Sequence, residues 1–110
     1  MAQNTYTNGN GGHAWDRVEE RLGEAGFNAQ TRNMIFVNTD RVAALSEVGS
    51  EAIRILTLPK QVGEAWGDRS NGNQVWAIVR NRRLVTVMLR RDTQPATPEA
   101  FGVEKVTIIG

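Results

Sequence analysis

Apolar side chains recur at helical spacing near the start of the chain, after a polar N-terminal stretch. Residues 1–12 are rich in Gly and Asn and nearly lack apolar side chains, which is typical of a flexible leader or a linker. From residue 13 onward the apolar positions fall within one arc of a helix: Ala14, Trp15, Val18, Leu22 and Ala25. Gly26 then ends the pattern. The spacing predicts an amphipathic helix over 13–25 whose apolar stripe faces the core.

The middle of the chain predicts a second helix and a first strand. Residues 34–38 are largely apolar, but they are too few to decide between a short strand and part of a longer helix. Asp40 is a suitable N-cap for a helix over 41–48, which Gly49 ends. Residues 52–58 alternate and are rich in β-branched side chains, so they predict a strand.

The clearest unit is a β-hairpin over residues 74–91. Asn81 and Arg82 separate its two strands, which predicts a two-residue turn. Asn81 tolerates the positive φ of such a turn, whereas Arg82 does so less readily, and a longer turn is therefore the alternative.

The two faces of this hairpin differ in polarity. In a regular register, the side that carries Trp76 is the more apolar in its middle, and we expect it to pack on the helices. Thr86 and Arg90 then lie together on the opposite side. Residues 103–109 predict a final strand.

The order of these elements predicts an α+β domain over residues 13–110, with two N-terminal helices packed on a four-stranded antiparallel sheet. A chain of 110 residues is long enough for one core. No segment is long and apolar enough to span a membrane, and the N-terminus lacks the pattern of a signal peptide. We therefore expect a cytoplasmic protein without a membrane partner.

The composition excludes several kinds of chemistry. The chain has no Cys, which excludes disulfides, thiol nucleophiles and zinc sites built on thiolates. His13 is the one histidine, so any imidazole chemistry depends on it. The sequence has no P-loop, no dinucleotide-binding fingerprint and no clustered carboxylates, and we expect neither a metal nor a cofactor.

Arginines concentrate in the hairpin, although the net charge is only +1. Five of them and no carboxylate lie within residues 80–91: Arg80, Arg82, Arg83, Arg90 and Arg91. The planar guanidinium group binds phosphate in a bidentate manner and stacks on bases. The cluster therefore predicts a site that binds a few phosphates, and the alternative is that these side chains are solvated strand ends and a hairpin tip.

The residues present allow metal-free cleavage of RNA. That reaction needs a base for the ribose 2′-hydroxyl, an acid for the leaving oxygen and positive charge beside the phosphorane. His13 lies in the first turn of the predicted helix, and Arg17 follows one turn later on the same polar edge. An imidazole with an ordinary pKa serves either as the base or as the acid. The alternative for His13 is a residue at a helix start without a chemical role.

Two segments of the chain resemble parts of a known group of small proteins. One is the helix motif His13-Ala14-x-x-Arg17-x-x-x-Arg21 with Gly26-Phe27 after it, and the other is the hairpin over 79–87. Both are similar to segments of DUF4258-like and RelE-like proteins, within the barnase–EndoU–colicin–RelE grouping of ribonuclease toxins. The chain departs from the family pattern because its glycine comes later in the first segment and Arg82 replaces the glycine of the hairpin.

The resemblance implies helices followed by an antiparallel sheet, with an active site that joins the first helix to the hairpin. It assigns His13, Arg17 and Thr86 to that active site. It also implies that Arg80 and Arg90 line the path of the substrate.

The first functional hypothesis is a metal-independent endoribonuclease with RNA as its substrate and an antitoxin or inhibitor protein as a possible partner. His13 acts as base or acid, and Arg17 and Arg90 stabilise the phosphorane. Thr86 orients a phosphate oxygen or a water, and Arg80 holds the substrate backbone.

Further substrate contacts are expected from the remaining arginines of the hairpin and from one tryptophan: Arg82, Arg83, Arg91 and Trp66. Trp66 lies in a Gly-rich loop, where it either stacks on a base or packs against its own loop.

Two other hypotheses compete with cleavage. The second is a non-catalytic binding module whose arginines hold a nucleotide, a nucleic acid or an acidic protein. The third is an oligomeric structural protein in which residues 103–109, or the loop around Trp66, pair with another copy.

Overall fold

The computed structural model describes residues 13–59, residue 67 and residues 72–110, and of His13 it describes the backbone alone. The expected leader and Trp66 lie outside the described residues. The elements in chain order are α1 (His13–Glu24), α2 (Ala29–Leu45), β1 (Ser50–Thr57), β2 (Gln74–Arg80), β3 (Arg83–Arg90), α3 (Pro98–Phe101) and β4 (Lys105–Ile108). The four strands form one sheet in the order β3-β2-β1-β4. The chain is therefore an α+β domain, as its sequence predicts.

The sheet is mixed, and the prediction of a purely antiparallel sheet was wrong. The strand pairs β1–β2 and β2–β3 are antiparallel, whereas β4 pairs with β1 in parallel. A hairpin cannot join two parallel strands. The chain has to cross over the sheet and return to the end at which the preceding parallel strand began. The connection after β3, which contains α3, makes this crossover.

The second helix is longer than predicted. It begins after Asn28, whose side chain accepts a hydrogen bond from the backbone N–H of Thr31 at 2.9 Å. Residues 34–38 are therefore helical, and Asp40 lies inside the helix and is not its N-cap. The cap signal at Asn28 is the stronger one because it follows the glycine that ends α1.

A third, short helix was not predicted from the sequence. Thr97 caps it by accepting the N–H of Ala100 at 3.1 Å, and Pro98 occupies its first turn. Gly102 ends it in the left-handed conformation with φ 71°. Thr97 followed by Pro98 is nevertheless a helix-start signal in the sequence.

The hairpin has the predicted two-residue turn, in which Asn81 (φ 53°) and Arg82 (φ 68°) both have positive φ. Its register is regular only at the turn, because the strands shift between Ile78 and Val79. Val79 pairs with Leu84 while Ile78 pairs with Thr86, so β3 carries one extra residue there.

The bulge explains why the side of β2 that meets the helices is not the predicted one. Val75, Ala77 and Val79 pack in the main core with α1 and α2, whereas Trp76 and Ile78 pack on the other side of the sheet. The predicted orientation of β2 was therefore wrong. The prediction assumed a regular register. The extra residue in β3 instead moves the side chains from Thr86 onward to the opposite side of the sheet relative to β2.

Two apolar clusters lie on opposite sides of the sheet. The larger one lies under α1 and α2 and includes Trp15, which packs against Phe36 with ring centroids 4.8 Å apart. The smaller one contains Trp76, whose ring lies 4.7 Å from that of Phe101 in α3. Both tryptophans are buried, as predicted for core residues.

None of the helices in the described ranges has the length and hydrophobicity that a membrane span requires.

Candidate nucleic-acid interface

The first helix contacts β3, the end strand of the sheet, through an arginine. Arg21 borders the apolar stripe of α1, whose Val18 and Leu22 are buried in the main core. Its Nη1 donates a hydrogen bond to Oγ1 of Thr86 in β3 at 3.1 Å. This contact fixes a guanidinium group beside the hairpin. Thr86, a predicted site residue, is therefore linked to α1 through Arg21 and not through Arg17.

A cavity of about 290 Å³ lies between the end of α1 and the end of β3. Its lining residues are Arg21, Leu22, Ala25, Val87, Met88, Leu89, Arg91 and Gln94. The backbone N–H of Arg91 donates to Oε1 of Gln94 at 2.8 Å, which holds the turn that follows β3. Two arginines from distant parts of the chain thus border one cavity whose lining is about as polar as it is apolar.

Three other arginines of the predicted site extend into solvent. Arg17 on α1, Arg80 at the end of β2 and Arg83 at the start of β3 are all exposed. Arg80 and Arg83 pair directly across the hairpin. In the part of the chain that the structure describes, none of these three side chains makes a hydrogen bond or an ion pair. Their donors are therefore available to an external anion.

Arg82 has a structural contact instead. Its Nε donates to the backbone oxygen of Ser46, the C-cap of α2, at 3.1 Å. A cation at this position satisfies a terminal carbonyl group and interacts favourably with the negative end of the helix dipole. The structure thus directs Arg82 toward the end of a helix and away from the cavity.

Arg90 lies on the other side of the sheet. Its guanidinium group is 4.3 Å from the ring centroid of Phe101, and its Nη2 donates to the backbone oxygen of Pro95. Phe101 belongs to the smaller apolar cluster, away from α1 and α2. The structure therefore separates Arg90 from Arg17, whereas Thr86 and Arg90 share the side of β3 that faces away from the helices, as predicted.

His13 is the first residue of α1, the helix that also carries Arg17 and Arg21. Eight residues of helix place its Cα about 12 Å before that of Arg21 along the axis. Its side chain lies outside the described structure. In the described residues, no group of three or more His, Asp and Glu side chains is arranged to hold a metal ion.

The prediction of site residues missed Arg21 and Gln94. Arg21 has a recognisable signal, because it follows Arg17 by one turn and borders the buried stripe of the helix. Gln94 has none, because its position depends on a turn that the sequence pattern did not define.

The comparisons with known proteins give no family for this chain. Its sequence matches no protein-family profile, no curated protein and no solved structure. The assignment of a function therefore depends on the site itself.

Proposed function

We propose that the chain binds single-stranded RNA through its phosphate groups. The binding site is the arginine surface, which we define as Arg17, Arg21, Arg80, Arg83 and Arg91. The observation that carries the proposal is that Arg21 and Arg91, from α1 and from the turn after β3, border one cavity.

The chemistry of this cavity suits a nucleotide unit. Arg21 is already held by Thr86, so less side-chain entropy is lost when its remaining donors bind a phosphate. The apolar walls contributed by α1 and β3 provide surface for a base or a ribose. A volume of about 290 Å³ is at the lower end of the range for small-ligand sites, which fits one nucleotide at a time.

The exposed arginines extend the site beyond the cavity. Arg80 and Arg83 are exposed at the turn of the hairpin, on the side of the sheet away from α1. Arg91 follows the other end of β3, so an RNA strand that contacts all of them crosses the outer edge of β3. Arg83 and Arg90 are seven residue steps apart along β3, which corresponds to about 23 Å. A chain of phosphates can therefore contact both ends of β3, whereas a single phosphate cannot.

Cleavage of RNA is the second candidate function, and the position of His13 favours it. His13 begins the same helix that brings Arg21 to β3. In this form of the proposal His13 transfers the proton, and Arg17 and Arg21 stabilise the charge that develops on the phosphorane. Attack of the 2′-hydroxyl on phosphorus expels the 5′-oxygen and leaves a 2′,3′-cyclic phosphate.

The binding proposal is tested by fluorescence anisotropy with labelled single-stranded RNA in EDTA. We expect Arg21→Ala and Arg91→Ala each to weaken binding about fivefold to tenfold. The slope of log affinity against log salt should fall by about 0.7 for each lost phosphate contact. Arg82→Ala is the matched control and should change neither quantity, because Arg82 contacts Ser46. Absence of binding at low salt, or an equal loss in Arg82→Ala, contradicts the proposal.

The same RNA tests cleavage. A product with a 2′,3′-cyclic phosphate that disappears in His13→Ala supports the second candidate. RNA that is bound but stays intact excludes cleavage and leaves binding as the function.

A further inference from the structure

The outer edge of β4 is open. This strand stands at the end of the sheet opposite to β3, and no described residue pairs with its outer side. Glu104 donates its N–H inward to Ser50 at 3.2 Å. Because the direction of backbone groups alternates along a strand, the N–H and C=O groups of Lys105 and Thr107 point outward. An extended chain can therefore add to the sheet here.

Exposed apolar side chains surround this edge. Of six large hydrophobic side chains that are exposed in the described part of the chain, four lie here: Leu45 (78%), Val48 (76%), Ile108 (56%) and Ile109 (57%). Beside them is a cavity of about 260 Å³ between the end of α2 and β4, with Val42, Leu45, Ile53 and Ile109 among its lining. Apolar surface next to an open strand edge is typical of a protein interface.

The sequence of β4 limits how a second copy can pair with it. Residues that face each other in an antiparallel pair point to the same side of the joined sheet. In a symmetric pair of β4 strands, one residue must therefore face the same residue of the partner copy, and the pairing is centred on that residue. Centring on Lys105 opposes two like charges, and centring on Val106 opposes Ile108 to Glu104. Centring on Thr107 instead sets Val106 of each copy against Ile108 of the partner copy, and Lys105 lies opposite Ile109 at the two ends. In that last register the pairs on either side of the centre are apolar and no two like charges face each other.

We propose that two copies of this chain form a symmetric dimer through antiparallel pairing of their β4 strands, centred on Thr107. The joined sheet then has eight strands in place of four. The net charge of +1 opposes this association only weakly. The β3 edge is a poorer partner for β4, because it carries a bulge and because Arg21 contacts Thr86 there.

Sedimentation equilibrium of the full chain at several protein concentrations tests the dimer. We expect a mass that rises toward twice 12.2 kDa as concentration increases from micromolar toward millimolar. Ile108→Lys should raise the dimer Kd at least tenfold, because the charge would be set against Val106 of the partner copy. Val37→Lys is the matched control on α2, where Val37 is 43% exposed, and it should leave the Kd unchanged. A mass that stays monomeric throughout, or an Ile108→Lys variant that dimerises like the wild type, overturns the proposal.

Disulfide trapping tests the register, since the chain has no cysteine of its own. Val106→Cys chains are mixed with Ile108→Cys chains that carry a mass tag, under mild oxidation. Facing residues are close enough for a disulfide, whereas two identical cysteines are separated by more than about 7 Å in this register. We expect the mixed disulfide to form faster than either symmetric one. Faster formation of the Val106→Cys homodimer, or equal rates for all three products, contradicts pairing centred on Thr107.

Discussion

The two end strands of the sheet have outer edges of opposite character. At β3, α1 packs against the strand, Arg21 holds Thr86, and a bulge interrupts the regular ladder. At β4, no described residue pairs with the outer edge, and exposed apolar side chains surround the strand. A bulge and a covering helix protect an edge from other strands, whereas a regular, unpaired edge beside apolar surface can accept another strand. This difference underlies our proposals of a polyanion at the first edge and of another protein chain at the second.

The largest loss of stability is expected from substitution of a glycine beside one of the two edges. A second glycine, beside the other edge, provides the comparison. Gly72 has φ 118°, and a Cβ atom there would overlap the carbonyl group of Arg90 at the end of β3. Gly102 has φ 71° before β4, with open space around the position of a Cβ. Gly72→Ala should reduce the free energy of unfolding by about 3 kcal/mol, and Gly102→Ala by about 1 kcal/mol.

Urea denaturation of both variants measures the difference. If the two losses are equal, backbone strain and not the crowding of β3 determines the effect of these substitutions.

One charged hydrogen bond is expected to contribute to the attachment of β4 to the sheet, beside the backbone ladder that joins β4 to β1. Thr107 in β4 donates its hydroxyl group to the carboxylate of Glu51 in β1, which is 7% exposed. Thr107→Val leaves this buried carboxylate without that donor and should reduce the free energy of unfolding by about 1.5 to 2 kcal/mol. The control is Thr57→Val, whose exposed hydroxyl group donates to Gly110 at 3.3 Å; its loss should be below about 0.5 kcal/mol.

Hydrogen exchange adds a local measurement to this comparison. Faster exchange in β4 of Thr107→Val, with β3 unchanged, is the expected result, and uniform acceleration across the sheet would contradict it.

The smallest effect is expected at the turn between β2 and β3. Arg82→Ala removes the hydrogen bond to Ser46 and a cation at the end of α2, which should reduce the free energy of unfolding by about 0.5 to 1 kcal/mol. The adjacent Arg83 makes no contact of this kind among the described residues, and Arg83→Ala should stay within about 0.5 kcal/mol of the wild type. Thermal unfolding of both variants checks the order, and a larger loss in Arg83→Ala would contradict the structural role of Arg82.

The sequence predicts the elements that depend on local patterns. The stripe of α1, the strand that follows Gly49 and the turn at Asn81 and Arg82 are all found near their predicted positions. Each of them is determined by periodicity or by the φ angles of a few adjacent residues, which a single sequence records directly.

The relations between elements were harder to predict. The bulge adds one residue to β3 without a glycine or proline to mark it, and it changes the partners of Thr86. The parallel pairing of β4 depends on a crossover, which no local pattern specifies. Arg82 and Arg90 do not line the cavity. Arg82 donates to the backbone oxygen of Ser46, which is distant in sequence. Arg90 lies over the ring of Phe101, which belongs to a helix that was not predicted. A cluster of arginines in sequence is therefore not a cluster in space.

The presence of apolar clusters on both sides of the sheet limits the shapes that this molecule can build. Five consecutive residues of β2, from Val75 to Val79, are buried, because α1 and α2 cover one side and α3 covers part of the other. Stacking of two sheets face to face is thus prevented at the centre of the molecule. Growth of the sheet itself is therefore confined to its own plane, through its two end strands, and would give a ribbon and not a sandwich.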